Sequence, residues 1–223
     1  SEISLSAEIP AIPPKHVVFP QIERIMKYKY DRSAKKAEIE AILDNRSKAI
    51  FGIRPCDLTG LIVLDRFFLG QEFVDEIYRE HRKRMFIVSQ NCIAPFKQCF
   101  CVCTDSGPFA DEGYDLNLTL LGDYYLVEAG SDKGKELVQR LGLKSADPSY
   151  AEMKKKANDK SISLFESIAT DNKAWISRVM NRITTGFIKE DVWEYIGKQC
   201  FECGACTFVC PTCSCFNVED HNR

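Results

Sequence analysis

Cys200, Cys203, Cys206 and Cys210 follow one another in the spacing C-x2-C-x2-C-x3-C, with Pro211 directly after the last and Cys213 and Cys215 close behind. Thiolates are soft ligands, and this run ending in C-P matches the segment that holds iron–sulfur clusters in two-cluster ferredoxins. Gly204 suits such a segment, because a residue without a side chain lets the backbone pass close to inorganic sulfide. Structural zinc is the alternative. It favours C-x2-C pairs set well apart and has no use for a third evenly spaced Cys or for the C-P ending. The spacing assigns Cys200, Cys203 and Cys206 to one [4Fe–4S] cluster, with Gly204 and Pro211 shaping the loop around it. In two-cluster ferredoxins the Cys before proline serves the other cluster. Cys210 is therefore expected to reach a second cluster whose own motif lies beyond this sequence, which makes the chain a fragment of a longer protein. Completion of a single cluster by Cys213 or Cys215 is the other reading.

Five more cysteines, Cys56, Cys92, Cys99, Cys101 and Cys103, have irregular spacing, so the elements that carry them must bring them together. Lys48–Ile53 is a short apolar run ending at Arg54-Pro55-Cys56-Asp57. Asp57 is a good N-cap for a helix carrying Leu58, Leu61, Ile62, Leu64 and Phe68. A charged helix, Glu72–Arg84, then leads to the strand Met85–Ser89, which ends at Asn91-Cys92. Strands joined through helices are most simply parallel neighbours, with their C-terminal ends side by side at the edge where open α/β sheets bind ligands. Cys56 and Cys92 are expected to converge there. Pro95 then turns the chain, so that Cys99 and Cys101 complete a four-thiolate site with Cys103 to spare. A second iron–sulfur cluster is the first reading of this site; zinc or a redox-active or structural thiol group are the others. Arg54 beside Cys56, and Lys198 beside Cys200, are candidates for raising a cluster's potential, since a cation favours the more negative reduced state.

The remaining segments frame these two groups. Pro10, Pro13, Pro14 and Pro20 predict an extended lead-in with an edge strand at Val17–Phe19. Helical spacing predicts helices over Gln21–Tyr30 and Lys35–Leu43. Tyr114–Leu121 and Tyr124–Ala129, split by Gly122-Asp123, predict a hairpin, and Lys133–Leu143 a helix. The polar run with Lys154-Lys155-Lys156 reads as a linker. Two helices, Asn172–Ile183 and Ile188–Gln199, then enter Cys200, with Trp175 and Trp193 expected to pack in a core. The architecture expected is an α/β domain with a mixed sheet and hairpin over 1–145, a polar linker over 146–171, and the first half of a helical ferredoxin-like module over 172–223.

A net charge of -2 and a pI near 6.0 give no electrostatic case for nucleic acid or anionic membrane. No apolar run reaches transmembrane length. Eleven cysteines grouped at ligand spacing, an odd number, point to metal ligation in a reducing cytoplasm and away from disulfides. No paired carboxylates, Ser/His/Asp set or Cys/His pair is spaced for catalysis, and the histidines stand apart at 16, 81 and 221. No G-x-G-x-x-G turn follows a predicted strand. No catalytic residue is assigned, and chemistry on a substrate is expected to belong to another chain.

Several stretches together resemble one family. They are Phe51-Gly-Ile-Arg-Pro-Cys56-Asp-Leu, Leu64-Asp-Arg-Phe-Phe68, Cys99-Phe-Cys101, Asp115–Asp123 with Tyr125-Leu-Val-Glu128, and Cys200–Phe216 ending CPTCSCF. In this order they resemble the 4Fe-4S dicluster beta subunits of cytoplasmic hydrogenase/sulfur reductases and the A subunit of anaerobic sulfite reductase. The resemblance runs from about Pro14 to Val218. It implies further sequence at both ends, a second ferredoxin motif downstream, and a place for Cys103 outside the central quartet. It also implies electron relay between a flavin subunit that meets NAD(P)H and a catalytic subunit such as a hydrogenase or sulfite reductase. A flavin-binding catalytic subunit and a zinc-stabilised interaction module are the alternatives. If the two cysteine groups are separate, Cys203→Ser in protein purified without oxygen lowers iron, labile sulfide and the cluster's EPR signal without abolishing them. Loss of all iron would mean that the middle cysteines hold none.

Overall fold

The computed structural model describes residues 10–221, apart from the side chains of residues 169–174. A 3-10 turn, Pro14–Val17, comes first, followed by an antiparallel hairpin of β1 (Met26–Asp31) and β2 (Lys36–Ala41). Next come β3 (Lys48–Ile53), α1 (Pro55–Leu69), α2 (Glu76–Lys83), β4 (Met85–Gln90), a second 3-10 turn at Cys101–Cys103, β5 (Leu116–Leu121) and β6 (Tyr124–Ala129). The chain continues through α3 (Asp132–Arg140), α4 (Ser149–Thr184), α5 (Glu190–Gln199) and α6 (Ala205–Val209). Strands β3, β4, β5 and β6 form one sheet in that order; β3, β4 and β5 are parallel and β6 is antiparallel to β5. This is the α/β arrangement with a mixed sheet and a hairpin that the order of apolar runs predicts.

Alternation along β4 divides the core into two layers. Met85 and Ile87 pack with Ile53, Val18 and the α1 residues Leu58, Leu61, Leu64 and Phe68. Val88 and Phe86 turn to the other face, against Leu116, Leu118 and the α3 residues Leu137 and Val138. The α1 residues recur every three or four positions, which gives the helix one continuous apolar stripe. Asp65 ties α1 to α2, accepting two bonds from the Arg82 guanidinium and one from the Tyr78 hydroxyl, each 2.7 Å long. Burial, and after it the Asp65 charge, push the Tyr78 phenol above its ordinary value.

Four segments depart from the sequence-based expectation. The lead-in forms a 3-10 turn where an edge strand was expected, with Pro14 starting it and Lys15 buried. The two helices expected over 21–43 are replaced by the β1–β2 hairpin. The run Met-Lys-Tyr-Lys-Tyr-Asp alternates with period two, and the Asp31 carboxylate accepts from the amides of Ser33 and Ala34 to close the turn. Helix α1 begins at Pro55, with Arg54 as its N-cap and Asp57 in its first turn. The polar stretch read as a linker is helical from Ser149 onward, as the first half of the 36-residue α4. Trp175 and Trp193, expected in a core, are 64% and 46% exposed, and the Arg178 guanidinium lies 5.8 Å from the Trp175 ring centroid. Because Leu64 is completely buried in the α1 stripe, Leu64→Ala should cost about 2–5 kcal/mol in urea unfolding.

Candidate metal centre

The first cysteine group is built by the ends of two adjacent parallel strands. Ser89 Oγ of β4 donates to the Ile53 carbonyl of β3 at 3.2 Å, binding the strands together where each leaves the sheet. A register shift between Phe51 and Ile53 ends β3 in a bulge, and Arg54-Pro55 passes directly into α1 with Cys56 as its second residue. A thiolate there faces the positive end of a helix. On the neighbouring strand, buried Asn91 fixes the turn. Its amide donates to Thr119 Oγ1 at 2.9 Å, and its side-chain oxygen accepts from the Ala110 amide at 3.1 Å. Cys92 follows, with its own amide donating to the Pro108 carbonyl at 3.0 Å.

The loop after Cys92 returns Cys99 and Cys101 to the same edge. The thiols are close enough to act on one another. Burial pushes Cys56 up to about 12, with Asp57, Cys92 and Cys101 adding to the effect. Cys101 is pushed up to about 11 by burial and then by Cys99 and Cys92. Cys92 is also raised by burial, against the opposing charge and hydrogen bond of Arg54, whose guanidinium lies 3.9 Å from its Sγ. The Phe96 amide donates to Cys99 Sγ at 3.3 Å. Cys56, Cys92 and Cys101, with Cys99 acting on the last two, offer together with a guanidinium and a backbone N–H directed at sulfur a donor set suited to an anionic metal–sulfur group. Among the described residues, no three His, Cys, Asp or Glu side chains are drawn together as the shell of a single ion. A polynuclear cluster requires wider spacing, since each thiolate binds its own metal.

Cys200, Cys203 and Cys206, on the C-terminal segment, are exposed, while Cys210 and Cys213 are half-buried. Gly204 has φ +71 and caps α6, so glycine is needed there for a left-handed backbone, a reason the spacing did not indicate. The Glu202 amide donates to Cys200 Sγ at 3.4 Å. Burial pushes the Cys210 thiol up, but Thr212, the Cys213 amide and the Lys15 charge outweigh it and leave the group below its usual range. Pro211 lies against α1 at Gly60.

Two contributors were missed in the sequence. Lys15 is buried, and its ammonium donates to the Thr207 carbonyl at 2.7 Å and the Cys213 carbonyl at 3.3 Å. A lone Lys among prolines carries no spacing signal. Ser161 of α4 is fully buried and donates to the Cys92 carbonyl at 2.6 Å. Its neighbours on the buried face, Lys154, Ala157, Asn158 and Phe165, recur at helical intervals, but only Phe165 is large and apolar.

Over 221 residues, 98% of the chain, the sequence is 30% identical to the beta subunit of sulfhydrogenase 2 of Pyrococcus furiosus. This chain is a relative of the sulfhydrogenase beta subunits. The resemblance stated from the residues is borne out for that family, and the comparison does not extend to sulfite reductase. The chain spans 62% of that relative's length. No family model and no solved structure matches. Among the described residues, no helix is long and apolar enough to cross a membrane. The relative's name makes it one subunit of a larger assembly.

Removing the Ser161 hydroxyl leaves the Cys92 carbonyl without this partner in the interior. Ser161→Ala should therefore cost about 1–3 kcal/mol in urea unfolding and speed amide exchange along the first half of α4.

Proposed function

We propose that this chain is an electron-transfer subunit. Its two cysteine groups hold iron–sulfur clusters between a flavin subunit that meets NAD(P)H and a catalytic subunit of hydrogenase or sulfur-reductase type, in a cytoplasmic complex of an anaerobe. What supports this reading is the parallel pairing of β3 and β4, which ends the strands before Cys56 and Cys92 at one sheet edge, with the Arg54 guanidinium 3.9 Å from Cys92 Sγ. When bound, such clusters supply one-electron transfer. Cys200, Cys203 and Cys206 would hold one at the C-terminal segment, with Cys210 reaching another, and the four middle cysteines would hold a cluster at the sheet edge.

The protein's own part is to exclude water and supply charge. Buried thiols resist ionisation by themselves. A cationic cluster core offsets their mutual repulsion, and Arg54 adds a fixed positive charge on the Cys92 side. The sequence offers no nucleophile or general base spaced for catalysis, which fits a chain that passes electrons and leaves bond chemistry to a partner.

The test uses the intact complex with artificial dyes as electron donors and acceptors. Cys56→Ser should preserve the dye-linked half-reactions of the partner subunits and break electron flow between them. Unimpaired end-to-end transfer would remove the middle group from the route.

A further inference from the structure

Two distant parts of the chain meet at the C-terminal cysteine segment. A Cβ built on Gly60 would lie 2.9 Å from the Cβ of Pro211, closer than side-chain carbons pack, so α1 touches the residue after Cys210 where only glycine leaves room. Gly60 is buried within α1, and glycine weakens a helix interior, so its presence calls for a reason outside the helix. The approach of Pro211 is that reason. On the other side, Lys15 bridges the carbonyls of Thr207 and Cys213, which lie on either side of Cys210 in the sequence. His16 Nε2 lies 3.1 Å from the Phe208 carbonyl, and its ring is 4.5 Å from the Phe208 ring. Gly60 is four residues along α1 from Cys56, a rise of about 6 Å.

We propose that Lys15 and Gly60 are positioning residues that hold Cys210–Pro211 one helical turn from Cys56, so that the two cysteine groups form one relay in place of two independent sites. This rests on the electron-transfer reading above. Lys15 fixes the segment by two charge-assisted hydrogen bonds from a buried position, and Gly60 lets it come close. Electron tunnelling falls off exponentially with distance, so a small retreat of the segment slows the relay even with every cysteine in place.

The test uses the native complex purified without oxygen, carrying Lys15→Met, Gly60→Val or Cys56→Ser in this chain. Iron and labile sulfide are measured first. After full chemical reduction, low-temperature EPR reads the magnetic coupling that Cys56→Ser removes from the spectrum of the neighbouring cluster. Lys15→Met and Gly60→Val are expected to keep their iron and lose most of this coupling, which falls with the cube of distance. Coupling at the wild-type level in both variants overturns the proposal, and so does a wild-type spectrum that is a plain sum of isolated clusters. A wild-type complex without iron overturns the electron-transfer reading itself. Should a variant lose its clusters, amide exchange on the full chain decides: residues 205–213 exchanging about tenfold faster, with β3 to β5 unchanged, supports the proposal, and unaltered exchange overturns it.

Discussion

Parallel pairing of β3 with β4 is the constraint on which the middle cysteine group depends. The two strands leave the sheet at the same edge, and the Ser89–Ile53 hydrogen bond fixes their ends to one another. Cys56 and Cys92, 36 positions apart in sequence, thereby follow strand ends that lie side by side. The turn after each strand is set by a different device: a bulge and Pro55 on one side, buried Asn91 on the other. The strand pairing brings the thiols together, and the turns aim them.

The parts legible in the sequence were those whose signal is apolar. β3, α1, β4 and the β5–β6 hairpin follow from runs rich in Ile, Leu, Val and Phe, many of which pack into the two core layers. Parallel neighbours joined through helices then implied the meeting of Cys56 and Cys92. What escaped was built from polar contacts. The first half of α4 docks through Lys154 on Glu128, at 2.6 and 2.7 Å, and through Ser161 on the Cys92 carbonyl, so its buried face looks like a solvated one to any hydrophobicity pattern. The β1–β2 hairpin escaped for the opposite reason. Both strands are exposed along their whole length, so no buried face marks their period, and Ile22, Ile25 and Met26 imitate a helix.

The two cysteine groups present opposite electrostatic problems. In the middle group, burial and crowding raise Cys56, Cys92 and Cys101, so holding thiolates there requires positive charge from the bound group as well as from Arg54. At the C-terminal segment, Cys200, Cys203 and Cys206 face water, and solvent screens the charges that would tune them. Lys15 escapes that screening because it is only 3% exposed. Its charge is one of the influences that lower the Cys210 thiol, after the hydrogen bonds of Thr212 and the Cys213 amide.

The segment cannot supply its own conformation. Helix α6 has five residues, too few to persist in water, because nucleating a helix fixes several dihedral angles for each hydrogen bond gained. Its C-terminal carbonyls would be left to solvent, and in this fold Lys15 and His16 receive two of them. A hydrogen bond from a charged donor is worth about 1.5–3 kcal/mol, enough to decide between a docked and a frayed turn of this length. The N-terminal turn is anchored in its own right, with the His81 ring nitrogen 2.7 Å from the Val18 carbonyl and Val18 in the main core. The spacing of the cysteines thus defines which ligands are available, and residues nearly two hundred positions earlier define where they stand.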